Sequence, residues 1–213
     1  MNEIDINSKQ REFWKGNFGA EYAERNFSLK NVNSSYEKET GVTVESIFQT
    51  FFKKINRDSK ILELGCNVGL NLGILGNMGF NNLTGLEINS ETIKLAKTRN
   101  PEITFINSSI EEYDSENEKF DLVFTAGVLI HINPKVLDLI LNKIIKLTTR
   151  YIFGFEYFSE KLEEISYRGN ENVCWKRNFP SAYNKLLPEI KTVKEQKFYY
   201  KNNSCDIAFL LEK

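Results

Sequence analysis

The residues most able to do chemistry begin at a glycine turn. Lys60-Ile61-Leu62-Glu63-Leu64 is a short apolar run that enters Gly65-Cys66-Asn67-Val68-Gly69. Two glycines let a backbone turn tightly and approach a ligand where a Cβ would clash. Glu87 closes a second apolar run about twenty residues downstream, where a carboxylate can accept hydrogen bonds from both hydroxyls of a ribose. The dinucleotide pattern GxGxxG would place glycine at 67 and 70, which are Asn67 and Leu70. That dinucleotide pattern therefore fails. The bland alternatives are a plain strand-to-helix turn and a surface acid at a strand end.

Further candidates follow the later runs. Asn107-Ser108-Ser109-Ile110 forms a turn after a third run, and Ala126-Gly127 follows a fourth. His131 is the only histidine, and its unperturbed pKa suits a general base near neutral pH. Glu156 and Tyr157 close a fifth run, where Glu156 could orient an amine or hydroxyl. Near the start, Tyr22 and Arg25 stand three apart on one helix face, and an arginine there can hold a carboxylate by charge-assisted bonds. Each has an ordinary counterpart: a locally bonded histidine, a solvated acid, or a helix packed through Trp14 and Tyr22 with Arg25 exposed.

These residues need a scaffold that alternates strand and helix, and the pattern supplies one. Helical spacing covers residues 8–27, broken by Gly16 and Gly19, and again 35–55 with Val42, Val44, Ile47, Phe48, Phe51 and Phe52. Strand-like runs at 60–64, 83–87, 103–106, 121–125 and 151–156 are separated by helical stretches at about 71–78, 90–99 and 134–147. Ser90 is the expected N-cap of the 90–99 helix, with Pro101 a stop beyond it. Single helices between strands imply right-handed crossovers and a parallel sheet covered on both faces. Two last runs, 192–200 and 205–211, predict a closing hairpin. The expected fold is α/β, a doubly wound, mostly parallel seven-stranded sheet with one antiparallel strand near the C-terminus. One domain spans 1–213. Helices over 1–55 cover the ligand, a nucleotide-binding core runs over 56–156, and 157–213 form an acceptor-side insertion and the hairpin.

Composition bounds the partners. A chain of 213 residues with 16 Phe and 9 Tyr is globular and can bury a full core. The formal net charge is −1 and no basic patch stands out, which argues against nucleic acid as a partner. The longest nearly apolar stretch, 122–132, is interrupted by Thr125 and His131 and is too short to cross a bilayer. Residues 1–5 are acidic and polar, unlike a signal peptide. Cys66, Cys174 and Cys205 fit no metal or redox spacing. The expectation is a reduced, cytoplasmic protein without a metal site, and the sequence does not indicate its oligomeric state.

Glu63-Leu64-Gly65 with Gly69 four residues on resembles the first motif of class I S-adenosylmethionine-dependent methyltransferases, and the later turns follow in that superfamily's order across 60–132. The resemblance sharpens with Phe13-Trp14-Lys15-Gly16-Asn17-Phe18-Gly19 through Arg25-Asn26, Gly65-Cys66-Asn67-Val68-Gly69-Leu70-Asn71-Leu72, and Gly127-Val128-Leu129-Ile130-His131-Ile132-Asn133-Pro134. With Glu156-Tyr157, Tyr167-Arg168-Gly169 and Trp175-Lys176-Arg177-Asn178-Phe179, these pieces are similar to the pseudaminic acid biosynthesis-associated methylases over nearly the whole chain. That family usually has aspartate where Asn178 stands.

The resemblance implies S-adenosylmethionine as methyl donor and S-adenosylhomocysteine as product. It implies donor contacts from Tyr22, Arg25, Glu63, Gly65, Cys66, Asn67 and Gly69. Asn71, Leu72, Glu87, Ile88, Ser109, Ile110, Ala126 and Gly127 join them, with the 107–110 turn facing the adenine. His131, Glu156 and Tyr157 would serve catalysis. Trp14, Tyr167, Arg168, Lys176 and Arg177 would face the acceptor, the basic ones suiting an anionic sugar acid of the nonulosonic type or a nucleotide-activated sugar. A lid packed over the sheet edge is the alternative for that cluster. A peptide or secondary-metabolite acceptor, and a non-catalytic donor-binding protein, are the competing functions. Thr125-Ala126-Gly127-Val128 stands where base amino-methylases have an Asn/Asp-Pro-Pro-aromatic loop, so a nucleic-acid base is not the expected acceptor.

Overall fold

The computed structural model describes residues 7–113 and 118–213. The acidic stretch at 1–5 lies outside the described residues. Nine strands and eight α-helices follow in chain order among them. Helices α1 (Ser8–Lys15), α2 (Asn17–Arg25), α3 (Leu29–Thr40) and α4 (Val44–Phe52) precede strand β1 (Ile61–Leu64). Then come α5 (Leu70–Asn77), β2 (Leu83–Glu87), α6 (Ser90–Arg99), β3 (Thr104–Asn107) and β4 (Phe120–Ala126). A 3-10 turn (Leu129–His131) leads to α7 (Leu137–Leu147) and β5 (Thr148–Tyr157). The chain closes with β6 (Glu163–Glu164), β7 (Trp175–Lys176), α8 (Phe179–Leu186), β8 (Lys191–Tyr199) and β9 (Cys205–Glu212).

The main sheet has the order β3-β2-β1-β4-β5-β9-β8. Strands β1 to β5 are parallel, and β9 runs antiparallel to both β5 and β8. This is the expected seven-stranded, doubly wound sheet with one antiparallel strand. The order reverses between β1 and β4, so the topological switch point lies at the carboxyl ends of those two strands.

Each face of the sheet is sealed by helices whose apolar residues recur three and four apart. Val44, Ile47, Phe48, Phe51 and Phe52 of α4 are buried, and Phe48 and Phe52 pack on Phe153 at ring-centroid distances of 5.4 and 5.0 Å. On the other face α7 buries Leu137, Ile140, Leu141, Ile144 and Leu147. Side chains of this size each stabilise by about 1.5–3 kcal/mol when withdrawn from water, so these two stripes anchor the sheet.

Two local readings are corrected. The 35–55 helix is two helices, because Gly41 ends α3 at φ +81 and Thr43 caps α4 by accepting from the Ser46 N–H. A left-handed residue cannot continue an α-helix, and glycine adopts that conformation without steric cost. The N-cap of α6 is Asn89, which accepts from the Glu91 and Thr92 N–H groups, not Ser90. The irregular stretch after β5 also contains the small β6–β7 pair, whose two-residue strands leave no periodicity to read.

Candidate functional site

The turn after β1 is shaped by backbone strain that its residue types relieve. Gly65 has φ +70, and a Cβ there would lie 2.6 Å from Val128 Cγ2. Asn67 is also left-handed at φ 49, a conformation asparagine tolerates better than most residues. Its Oδ1 accepts from the Val68 N–H at 2.6 Å. An asparagine therefore serves where many such turns have glycine.

This conformation turns the Asn67 N–H toward the next strand. It donates to Glu87 Oε2 at 3.0 Å, and the Asn89 N–H donates to Glu87 Oε1 at 2.9 Å. The carboxylate is thus oriented by two backbone amides, and each oxygen keeps a lone pair for a ligand hydroxyl. Burial pushes the Glu87 pKa up, against the pull of those amides. Asn89, which the sequence reading did not single out, is a double brace. While Oδ1 caps α6, its Nδ2 faces the carbonyls of Trp14, Lys15 and Gly16 at 3.1–3.3 Å. The junction of α1 and α2 is pinned beside Glu87.

A cavity of about 330 Å³ opens over the switch point, within the range of small-molecule sites. At one end it is lined by Gly65, Cys66, Asn67, Asn71, Glu87 and Ile88. Ser109, Ile110, Ala126 and Gly127 continue the wall. The Ser109 hydroxyl is engaged locally, donating to Glu112 Oε2 at 2.9 Å and accepting the Glu112 N–H. Three expected donor residues sit behind this wall. Glu63 is buried beneath Asn71, whose Nδ2 donates to its Oε1 at 2.7 Å. Burial pushes the Glu63 pKa well up, and its Oε2 has no hydrogen-bond partner. Gly69 packs against Asn100 and Phe105, and Leu72 is a core side chain.

The other end of the cavity is aromatic. Trp14, Tyr22, His131, Tyr157 and Tyr167 line it. Trp14 lies 4.6 Å from the His131 ring centroid and 5.3 Å from Tyr22, and Tyr167 lies 4.8 Å from His131. His131 is 6% exposed. Its Nδ1 lies 2.7 Å from the Val173 carbonyl oxygen. A carbonyl can only accept, so Nδ1 carries the proton and Nε2 the lone pair. Burial pulls the pKa down to about 4, so the ring is a neutral base at neutral pH.

Glu156 also lines the cavity. It is 1% exposed, and its oxygens accept the N–H groups of Val128 and Leu129 at 3.2 Å and of Ile130 at 3.4 Å. The Thr125 hydroxyl adds a further bond, and burial raises the pKa to about 7. The carboxylate organises the turn that carries His131. Burial also pushes the Tyr157 phenol up.

The basic residues expected around the ligands lie elsewhere. Arg25 is 38% exposed at its side chain and pairs with Glu21 at 3.5 Å, outside the cavity wall. Arg168 is exposed, with its guanidinium 6.0 Å from the Tyr167 ring. Lys176 sits on β7, and Arg177 borders a separate shallow depression with Glu160 and Lys185. None of the four is among the residues lining the cavity, although Arg168 hydrogen-bonds Tyr167, which is. The arginine that does line the cavity is Arg11, one turn before Trp14 on α1. It approaches Glu111 at 3.6 Å. Its i, i+3 spacing from Trp14 was the available signal. Asn178, where the similar family has aspartate, caps α8 by accepting the Ser181 N–H at 3.0 Å, a task both residues perform equally. Among the described residues no group of histidine, cysteine and acid side chains could hold a metal, and no helix is long and apolar enough to cross a membrane.

Residues 61–150 match a family model described as a methyltransferase domain. A search of curated proteins finds no match. Among solved structures, the chain resembles 1,6-didemethyltoxoflavin-N1-methyltransferase of Burkholderia thailandensis, bound to 1,6-didemethyltoxoflavin and S-adenosylhomocysteine. Identity is 14%, coverage is 100% of this chain and 91% of that one, and the TM-score is 0.71. Magnesium protoporphyrin IX methyltransferase of Synechocystis PCC 6803, with bound S-adenosylhomocysteine, is 16% identical over 95% of this chain and 97% of its own, with TM-score 0.70. The N-terminal domain of EvdMO1, in the presence of S-adenosylhomocysteine and D-fucose, is 17% identical over 79% and 82%, with TM-score 0.62. The chain has the Rossmann-like methyltransferase fold.

Proposed function

We propose that this protein transfers the methyl group of S-adenosylmethionine to a small molecule. The observation that carries the reading is the braced Glu87 carboxylate beside the Gly65–Asn67 turn, at one end of a cavity whose other end holds His131. The matched methyltransferase model over 61–150 and the neighbours of the same fold with bound S-adenosylhomocysteine support it.

The residues present fit the donor. A Cβ at position 65 would meet Val128, so the turn stays narrow and its backbone reaches the cavity. Glu87 would hold the two ribose hydroxyls, and the backbone at Ser109 and Ile110 would border the adenine. When bound, the sulfonium supplies an activated methyl carbon open to in-line displacement. The protein must then align the acceptor and exclude water. Helices α1 and α2, pinned by Asn89, cover the cavity and exclude solvent. The Asn7 side chain accepts the Asn133 N–H at 3.1 Å and donates to Glu111, while Gln10 Nε2 donates to the Asn172 carbonyl at 2.9 Å. His131 Nε2 takes the proton that an acceptor hydroxyl or amine loses as its lone pair attacks. Val173 and the Glu156-organised turn hold the ring in the required tautomer and place.

Within this reading the acceptor is a small carbohydrate acid of the nonulosonic type, or a nucleotide-activated sugar. The residues that resemble the pseudaminic acid biosynthesis-associated methylases support that class, and Arg11 is the cation in the wall that would meet a carboxylate or phosphate. The test is transfer from labelled S-adenosylmethionine to a panel of nonulosonic acids and their nucleotide-activated forms, read by mass. Gain of one methyl on a panel member is expected. Donor binding without transfer would overturn the sugar reading, and absence of donor binding would overturn the methyltransferase reading itself.

A further inference from the structure

Beyond Tyr157 the cavity ends at a group that the mechanism above does not use. Asp206 opens β9, directly opposite Tyr157 in register and two strands past β4. At about 4.8 Å per strand, it stands roughly 14 Å along the sheet from β1 and the glycine turn. It is 4% exposed and lines the cavity. Its Oδ2 accepts the hydroxyls of Tyr36 at 3.0 Å and Tyr200 at 2.7 Å. Its Oδ1 is buried and has no hydrogen-bond partner.

A carboxylate half satisfied in this way is costly unless a cation completes it. Among the described residues Asp206 makes no ion pair. Lys176 acts on it only electrostatically, and burial holds its pKa at about 6, so it is largely ionised near neutrality. The surroundings are aromatic rings. Tyr36 stands edge-on to Tyr200 at 5.7 Å and to Phe155 at 5.6 Å, and all three line the cavity with Asp206. A buried acid oxygen among aromatic rings is the arrangement that binds an organic ammonium, by an ion pair on one side and cation–π attraction on the others.

We propose that Asp206, with Tyr36 and Tyr200, forms an anchor for a protonated amine on the methyl acceptor. The proposal rests on the small-molecule methyltransferase reading and names a feature of that acceptor. An ammonium has no lone pair for the methyl carbon, so the anchored amine is not the methylated atom. The nucleophile lies elsewhere on the acceptor, toward His131, and the amine leaves unmodified. A carboxylate elsewhere on the same molecule is compatible with this anchor, so a sugar acid bearing an amino group would satisfy both readings.

The test uses the full chain saturated with S-adenosylhomocysteine and the isosteric probes benzylamine and benzyl alcohol. Calorimetric titration should show benzylamine binding at least tenfold more tightly, and Asp206→Asn should abolish the difference while S-adenosylhomocysteine still binds. In the unmodified protein, the ¹³C signal of the Asp206 carboxyl carbon should shift with benzylamine and not with benzyl alcohol, which decides the matter even if Asp206→Asn fails to fold. Equal affinity for the two probes, including no measurable binding of either, overturns the amine anchor. So does a preference that survives in Asp206→Asn, or an unmoved Asp206 signal. Loss of S-adenosylhomocysteine binding in the unmodified protein would instead strike the methyltransferase reading, leaving the amine preference to be judged on its own titration.

Discussion

In the proposed reaction Glu87 and His131 divide the chemistry between them, and each can be tested alone. Glu87→Ala would remove the acceptor of two ribose hydroxyls, which water can partly replace, for a net loss of about 1.5–3 kcal/mol in all. Affinity for S-adenosylmethionine should fall by roughly ten- to a hundredfold, measured by calorimetry; unchanged affinity would refute the ribose role. His131→Gln should lower the transfer rate by about 10²–10⁴ while donor affinity stays the same, since it removes a proton acceptor and not a donor contact. The buried titrating groups also oppose one another in stability. His131, lowered from 6.5 to about 4, contributes stability that is present above pH 6.5 and lost as pH falls through about 4. Glu156, raised from 4.5 to about 7, and Asp206, raised from 3.8 to about 6, contribute stability present in acid and lost as pH rises through those values. In His131→Gln only the carboxylate trend remains. Its melting temperature should therefore rise more between pH 7.5 and pH 5 than that of the unmodified protein, as read by calorimetric scans.

Two short connections decide whether the elements form a site. Asn89 ties the α1–α2 junction to the end of β2. Asn89→Asp keeps the oxygen that caps α6 but replaces the donor facing three carbonyls with a negative charge. The helices should lift from the cavity, so donor dissociation should quicken several-fold in stopped-flow traces while the melting temperature changes little. Unchanged dissociation would refute the pinning role of Asn89. Glu156 does the equivalent for the 3-10 turn. Glu156→Ala leaves the Val128, Leu129 and Ile130 N–H groups without their acceptor, at about 1–3 kcal/mol for a buried group left unpaired. The melting temperature and the transfer rate should both fall, because the turn also carries His131.

As a whole molecule the protein is a rigid sheet with a cavity along its carboxyl edge, closed by the first helices and by the segment around Tyr167 and Val173. A ligand that binds only the folded state stabilises it by mass action, about 2.7 kcal/mol at a hundredfold excess over Kd. For a chain of this size that is about 5–10 °C in melting temperature. S-adenosylhomocysteine should produce such a shift in thermal scans, and Glu87→Ala should reduce it in proportion to its lost affinity.

The parallel core was legible in the amino acids because its signals are local. The apolar runs at β1, β2 and β4, the stripes on α4 and α7, and the Gly65–Gly69 turn each follow from spacing and side-chain type, so the switch point and Glu87 beside it could be placed before any packing was known. Local signals also misled where one residue changed the local geometry, as Gly41 did in dividing a continuous apolar stripe. Which charged residues face the ligand was decided by tertiary structure alone. Arg25 and Arg11 lie on neighbouring helices with similar surroundings in sequence, yet the turn at Gly16 puts Arg11 in the wall and leaves Arg25 paired with Glu21 in solvent. Asp206, an acid in a largely apolar strand, acquires its tyrosine partners from residues 170 and 6 positions away. Its unpaired oxygen is a consequence of enclosure. Spacing specifies what a segment becomes, but burial and orientation belong to the assembled sheet, and the chemistry of an acid depends on both.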